Sequence, residues 1–196
     1  MNYSLTLTAE PLLYPESKVV AGLMEENKDK ESIYKEIMEN NLFQHKKQGS
    51  QKRVFSPVWR RLNAINKELL ELFIDSDSQT SRLILLYSIM KTDRLVFDFI
   101  NEVYKDKLFL RQNKIENKDF EFFYEQKSMQ DEKLLNASET TKYKIKQVMF
   151  KIMIEAGILE KDLSNEKIIK KPYINNNLKK LIIEDGGEIY LKAIGG

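Results

Sequence analysis

Three segments of the sequence carry lysine and arginine but no acidic residue. They span residues 40–67, 140–154 and 167–183 and hold seven, four and five basic residues, respectively. The whole chain is nearly neutral, with 32 basic and 30 acidic residues, so the remaining sequence is strongly acidic. Charge segregated in this way produces a local positive field that attracts polyanions. A solvated lysine-rich helix would explain one such segment, whereas three of them predict a polyanion-binding surface.

The second basic segment lies in a predicted amphipathic helix. Ser138 stands at the N-cap position, and Gly157 follows the last apolar residue, as is typical of a helix end. The apolar residues recur at helical spacing and form an inner stripe of Ile145, Val148, Met149, Ile152, Met153 and Ala156. The opposite face presents Thr140, Lys144, Gln147 and Lys151.

The elements around this helix predict a winged helix-turn-helix. An aromatic helix (119–127) and a short helix (131–136) precede it, and strand-forming residues with a polar turn follow it around Lys167. In such a fold the second long helix enters the major groove, where lysine and threonine hold phosphates and glutamine pairs with an adenine edge. We therefore expect DNA contacts from Thr140, Lys144, Gln147 and Lys151, and from Lys170 and Lys171 on the wing. A winged helix used only for protein contacts is the alternative.

The first basic segment has a similar design. A helix over 31–41 and a lysine-bearing loop precede a helix over 50–65, and Trp59 falls on the apolar stripe of that second helix, where we expect it in the core. Pro57 lies inside the stripe, and the sequence leaves open whether the helix kinks or restarts there. The side chains that we expect to contact DNA are Lys46, Lys47, Gln48, Ser50, Lys52, Arg53, Ser56 and Arg60.

Composition argues against an enzyme. The chain has no cysteine and one histidine, His45, so thiolate sites and histidine metal centres have no ligands. No phosphate-binding loop or dinucleotide glycine motif is present, and paired carboxylates such as Glu25–Glu26 fall on predicted helix surfaces. We therefore predict a non-enzyme with no catalytic residue, cofactor, metal or small-molecule substrate.

The remaining sequence predicts a helical scaffold in two parts. Residues 1–110 form a predicted N-terminal helical domain that contains the basic helix-turn-helix-like segment 31–65, residues 111–118 form a polar linker, and residues 119–196 form the winged-helix-like domain. A helix over 176–184 and a final strand over 188–193 are expected at the end. No apolar run approaches the roughly 20 residues of a membrane span, and we expect a cytoplasmic protein without membrane contact.

Several short motifs resemble the BrxA family of BREX bacteriophage-defence systems. They are E-N-N-L-F-Q (39–44) with Ser50, Arg53 and R-R-L (60–62), and later Ser138, Thr141, Lys144, Gln147, Phe150 and E-A-G-I-L (155–159). The resemblance implies a NusB-like helical bundle with helix-turn-helix elements that binds DNA without being an enzyme. It also implies other BREX proteins as partners, in a system that methylates host DNA and blocks phage replication.

Together these observations predict a mainly α fold with a NusB-like helical bundle, helix-turn-helix elements and a C-terminal winged-helix-like subdomain with a small β wing. The predicted function is double-stranded DNA binding, directed largely at the backbone through two basic helix faces. Two alternatives remain. One is RNA binding by the NusB-like core, and the other is a protein–protein adaptor whose basic faces dock on an acidic partner.

Overall fold

Helices account for most of the computed structural model, which describes residues 3–26, 28–46 and 48–196. A short 3₁₀ helix (Thr6–Ala9) precedes α1. The helices are α1 (Tyr14–Glu25), α2 (Lys30–Asn40), α3 (Gln48–Leu62), α4 (Lys67–Asp75), α5 (Ser78–Thr92), α6 (Arg94–Phe99), α7 (Lys105–Phe109), α8 (Asn117–Ser128), α9 (Glu132–Leu135), α10 (Glu139–Glu155), α11 (Asn176–Glu184) and α12 (Glu188–Ala193). A π-helical segment, Ile100–Tyr104, joins α6 to α7. The predicted mainly α class is confirmed.

A small antiparallel sheet completes the fold. Its strands are β1 (Lys114–Ile115), β2 (Leu159–Lys161) and β3 (Lys167–Ile169), in the order β1-β3-β2. β1 lies within the segment predicted as a linker, and its Lys114 pairs with Ile168 of β3. Because β1 precedes α8 in the chain, the sheet ties the start of the C-terminal part to the hairpin that follows α10.

Side-chain caps set most of the helix starts. Asp29, Asn66, Asp77, Asp93 and Ser138 each accept a hydrogen bond from a free backbone N–H in the first turn of the following helix. Such a cap satisfies donors that have no partner inside the helix. The sequence therefore encodes these boundaries locally.

Pro57 does not interrupt its helix. α3 runs from Gln48 to Leu62 as one helix with Pro57 inside it. Pro57 is buried between Phe55 and Val58, which also face the core, and α3 packs against α1 and α5. We infer that this packing offsets the cost of the backbone hydrogen bond that proline removes.

Helix α5 occupies the centre of the core. Its residues 83–87 are all buried, and it contacts α3, α4, α6, α10 and α12. Buried side chains from residues 3–110 and from residues 119–196 belong to one hydrophobic cluster. The O–H of Tyr104, in the π-helical segment, also donates to the carbonyl of Lys170 over 2.7 Å. The division into two domains stays a prediction.

The prediction of a final strand over residues 188–193 was wrong. Residues 188–193 form α12, which packs on α5 and on the π-helical segment. Leu191 and Ile194 are buried at a helical spacing of three, and the ring of Tyr190 lies 4.8 Å from that of Phe97. A six-residue run is too short for the apolar pattern to distinguish the two periods, so tertiary packing decides. No helix in the described ranges is long and apolar enough to cross a membrane.

Candidate nucleic-acid interface

Helix α10 presents the polar face that its sequence predicts. The Ser138 hydroxyl accepts a hydrogen bond from the N–H of Thr141, which fixes the start of the helix, and Gly157 follows its end at φ 79°. The inner residues are buried, apart from the partly buried Val148, and the exposed side chains of the opposite face are Thr140, Lys144, Gln147 and Lys151. The predicted face therefore lies at the surface of one continuous helix.

A groove separates α10 from the β2–β3 hairpin. Its volume is about 560 Å³, and four lysines lie along it: Lys146, Lys151, Lys161 and Lys167. The rest of the lining consists of Asn117, Tyr143, Gln147, Phe150, Ile154 and Glu155. The groove thus brings two of the predicted residues, Gln147 and Lys151, together with Lys167 of the expected wing and with two lysines that were not predicted, Lys146 and Lys161.

The strand register directs two of these lysines into the groove. Lys161 of β2 is paired with Lys167 of β3, and directly paired residues point to the same sheet face. The ammonium nitrogen Nζ of Lys167 lies 4.4 Å from the centre of the Phe150 ring and donates to Oδ1 of Asn117 over 3.0 Å. Burial lowers the pKa of Lys167, and the neighbouring charges of Lys146 and Lys161 lower it further. The hairpin therefore concentrates positive charge against α10.

The other two lysines of the expected wing, Lys170 and Lys171, do not line this groove. Lys170 follows β3, and its side chain lies on the sheet face opposite to Lys167. It forms an ion pair there with Glu160 of β2, the strand partner of Ile168. Lys171 is exposed after the end of β3. Side chains alternate between the two faces of a strand, so Lys167 and Lys170 point in opposite directions. That alternation was the sequence signal that could have singled out Lys167.

Three lysines of α10 form ion pairs with acidic residues. Lys146 pairs with Glu121 of α8 at 2.9 Å, and Lys142 pairs with Glu139 at 2.7 Å. Lys151 lies 3.6 Å from Glu155, one turn along the same helix. Lys144 has no ion pair with a described residue. Lys146 is only 17% exposed, whereas the pairs of Lys142 and Lys151 are more open to solvent. Because exposed pairs contribute little, an incoming phosphate can displace those two.

The second predicted face, on α3, is only partly a free surface. Lys46, Lys52, Arg53 and Ser56 are exposed, and Ser50 is partly buried. Arg60 is 41% exposed, and its Nη2 lies 2.5 Å from the carboxylate of Glu10. Lys47 lies outside the described residues, and Gln48 is described only as the first residue of α3. Trp59 is partly buried and packs beside Phe55, with ring centres 6.0 Å apart, as its place on the apolar stripe predicts.

Residues 10–16 connect the two faces. Glu10 is held by Arg60, and the N–H of Leu12 donates to the Glu155 carboxylate at the end of α10 over 3.3 Å. Glu16 lies 3.1 Å from Nε2 of His45, next to Lys46. A second hollow along this segment shares Lys151 and Glu155 with the α10 groove. The two predicted faces are therefore joined by a surface on which each of these three carboxylates has a basic partner.

Among the described residues no cluster of three or more histidines and acids is placed to hold a metal ion.

Comparison with known proteins identifies the family of this chain. A family model described as BrxA matches residues 1–186. A relative from Bacillus cereus (strain H3081.97), named BREX protein BrxA, is 34% identical over 194 residues, which cover 99% of this chain and 96% of the relative. A second protein of that name, from Paramagnetospirillum magneticum (strain ATCC 700264 / AMB-1), is 22% identical over 193 residues, covering 98% and 96%.

The fold is also shared with a solved structure. The crystal structure of an uncharacterized protein from Magnetospirillum magneticum matches with a TM-score of 0.85 at 22% identity, covering 99% of this chain and 98% of that one. The full-length family match and the 34% identical relative lead to the same conclusion. This chain belongs to the BrxA family.

Proposed function

We propose that this chain is a non-enzymatic, double-stranded DNA-binding accessory protein of a BREX-type phage-defence system. DNA lies along the outer face of α10, and its backbone enters the groove between α10 and the β2–β3 hairpin. The relatives named BREX protein BrxA support the assignment to BREX and to other BREX proteins as partners.

The convergence of four lysines in the α10 groove is the observation that carries the proposal. Lys161 and Lys167 come from the hairpin, while Lys146 and Lys151 come from the helix. Packing like charges together costs free energy, and a phosphodiester backbone in the groove would offset that cost. The order α8, α9, α10, hairpin is also that of a winged helix-turn-helix, in which helix and wing together hold one duplex.

The side chains of the groove favour contacts to phosphates over contacts to bases. Lysine is a flexible point charge that pairs with phosphate without reading sequence. Gln147 and Asn117 are the amide groups in the groove lining that can pair with a base edge. We therefore expect weakly sequence-specific binding with a steep dependence on salt.

A salt titration tests this proposal. Binding of the full chain to a labelled random-sequence duplex of about 30 base pairs is measured by anisotropy over a range of salt concentrations. The logarithm of the affinity should fall linearly with the logarithm of salt, with a slope of about 0.9 for each phosphate neutralised, and four lysines predict a slope near 3–4. Absence of binding even at low salt would overturn the proposal and leave the adaptor role.

Competition separates DNA from RNA. Unlabelled duplex RNA and duplex DNA of the same length are added to the preformed complex. The wing and helix geometry fits the wide major groove of B-form DNA, whereas A-form RNA has a deep, narrow one. We expect DNA to compete at least about tenfold better, and preferential competition by RNA would overturn the DNA assignment.

A further inference from the structure

A separate groove lies between α2 and α3, and its lining is unlike that of the α10 groove. It has a volume of about 570 Å³ and is lined by Lys30, Glu31 and Tyr34 of α2 and by Lys52, Phe55 and Ser56 of α3. Its floor is aromatic, because the rings of Tyr34 and Phe55 lie 5.2 Å apart and Trp59 lies beyond Phe55. An apolar floor of this kind accepts apolar side chains from a partner.

The cations at the rim of this groove are available to a ligand. Neither Lys30 nor Lys52 forms an ion pair with a described residue. The Nζ of Lys30 lies 5.9 Å from the centre of the Trp59 ring, so it stays over the aromatic floor. Glu31 is the one acid among the described residues that line the groove. The rim therefore favours a negatively charged ligand, and the floor favours an apolar one.

The geometry fits a protein segment better than a nucleic acid. Stacking of successive bases needs open ring faces. Here Phe55 is only 4% exposed, Tyr34 and Trp59 are partly buried, and the Tyr34 and Phe55 planes are tilted by 58°. A concave site between two helices, with aromatic walls and a charged rim, is instead suited to the apolar face of an amphipathic helix.

We propose that the α2–α3 groove is a docking site for an acidic amphipathic helix of a partner protein. Apolar side chains of that helix insert over Phe55 between Tyr34 and Ser56, while its carboxylates pair with Lys30 and Lys52. The two basic faces of the chain then have different partners, with DNA on α10 and a protein on α2–α3.

The test uses Trp59, the only tryptophan of the chain, as a reporter. The full chain is titrated with a synthetic helical peptide of about 16 residues that carries Leu and Phe at positions i, i+3, i+4 and i+7 and Glu elsewhere. We expect a saturable change in Trp59 emission. Replacing the Glu residues of the peptide by Lys should remove it, because the rim then repels the peptide.

Three variants locate the binding site. Lys52→Glu should weaken peptide binding at least about tenfold, and Ser56→Phe should do so without any change of charge by filling the groove. Lys35→Glu is the matched control and should leave the affinity unchanged. Lys35 is an exposed lysine of α2 that pairs only with Glu39 and does not line the groove.

Three outcomes would overturn the proposal. The first is a peptide affinity that Lys52→Glu and Ser56→Phe leave unchanged. The second is no change in Trp59 emission with the acidic peptide. The third is a saturable change produced instead by oligothymidylate, which would assign the groove to single-stranded nucleic acid. Both readouts are independent of duplex DNA binding on α10, so either proposal can fail without the other.

Discussion

Arg61 fixes the N-terminal segment to α3 by binding the main chain at Glu10. Its Nη2 donates to the carbonyl oxygen of Glu10 over 2.8 Å, and its Nη1 donates to that of Pro11 over 2.7 Å. Arg61 is 1% exposed, whereas its neighbour Arg60 contacts the carboxylate of the same Glu10 from the solvent side. Two consecutive arginines therefore bind the same glutamate, the buried Arg61 through its main-chain carbonyl and the more exposed Arg60 through its carboxylate.

Removal of Arg61 should destabilise the protein far more than removal of Arg60. Arg61→Met leaves the carbonyls of Glu10 and Pro11 without their donors and should lower the free energy of unfolding by about 3 kcal/mol or more. Arg60→Gln removes the more exposed partner of the buried Glu10 carboxylate, which keeps Nη2 of Arg61 at 3.8 Å, and should cost only about 1 kcal/mol. Urea unfolding followed by circular dichroism measures both. Equal losses would show that the buried contacts of Arg61 are not the main link between α3 and the N-terminal segment.

The sequence separates these two arginines by their angle on α3 but does not identify their partner. Arg60 was predicted on the polar face, whereas Arg61 lies three residues after Val58, on the side of the apolar stripe. Their shared partner, Glu10, lies about 50 residues away in sequence, beyond the reach of a helical pattern. The same limit applies to Lys146 and Lys161, whose convergence depends on how the hairpin folds back on α10. Helix starts, by contrast, were predictable where a cap such as Ser138 encodes the boundary within one turn.

The α10 groove gives a quantitative prediction about phosphate contacts. Lys161→Gln combined with Lys167→Gln should reduce the slope of log affinity against log salt by about 1.8, since each phosphate contact contributes about 0.9. Lys170→Gln should leave the slope unchanged, because Lys170 lies on the opposite face of the hairpin and pairs with Glu160. The slope is measured by the salt titration on the random-sequence duplex for the parent chain and for both variants.

The opposite effects of these variants on the salt slope would place the DNA elsewhere. A slope that falls with Lys170→Gln but not with the Lys161 and Lys167 pair would move the DNA to the outer face of the wing, where Lys170 lies. Circular dichroism of each variant should match that of the parent chain, since Lys161 is exposed and Lys167 forms no ion pair with any residue that the structure describes.

Reversing charge on the exposed face of α10 should weaken binding to every sequence alike. Lys144→Glu with Lys151→Glu places two acids where phosphates are expected, and we predict a loss of at least about 100-fold at low salt on any duplex. Gln147→Ala should have a smaller effect that differs between sequences, because an amide can pair with adenine. Measuring the affinity of each variant for several duplexes of different base composition tests both predictions. A loss confined to one sequence in the double lysine variant would indicate base readout by lysine.

Asp185 should be the main anchor of α11 and α12 on α5. Its Oδ2 accepts hydrogen bonds of 2.6 Å from Tyr87 and from Lys91, and its Oδ1 accepts from the N–H of Asn66 over 3.1 Å. Asp185→Ala leaves these donors unpaired and should cost about 2–4 kcal/mol. Glu184→Ala is the control, because that exposed acid pairs only with Lys180 at 3.7 Å. Hydrogen exchange should show faster exchange in α11 and α12 for Asp185→Ala alone.

Stability should fall at alkaline pH because several tyrosines are buried. Burial raises the pKa of Tyr124 to about 12 and raises the pKa of Tyr104 still further above its usual value. In the unfolded chain these groups ionise near pH 10, so the folded state binds more protons between about pH 10 and 12. The stabilisation is therefore complete below pH 10 and is lost as the pH rises towards 12. Urea unfolding at a series of pH values measures this slope.

Substitution of a buried tyrosine should flatten that pH dependence. Tyr124→Phe removes one ionising group together with its hydrogen bond to the Leu134 carbonyl, so the variant should lose stability at neutral pH but lose less than the parent chain between pH 10 and 12. Tyr173→Phe, at a ring that is 78% exposed, should leave the slope unchanged. If Tyr124→Phe and Tyr173→Phe gave the same slope, burial of the Tyr124 hydroxyl would not be the source of the alkaline loss, and that loss would have to come from the other buried tyrosines.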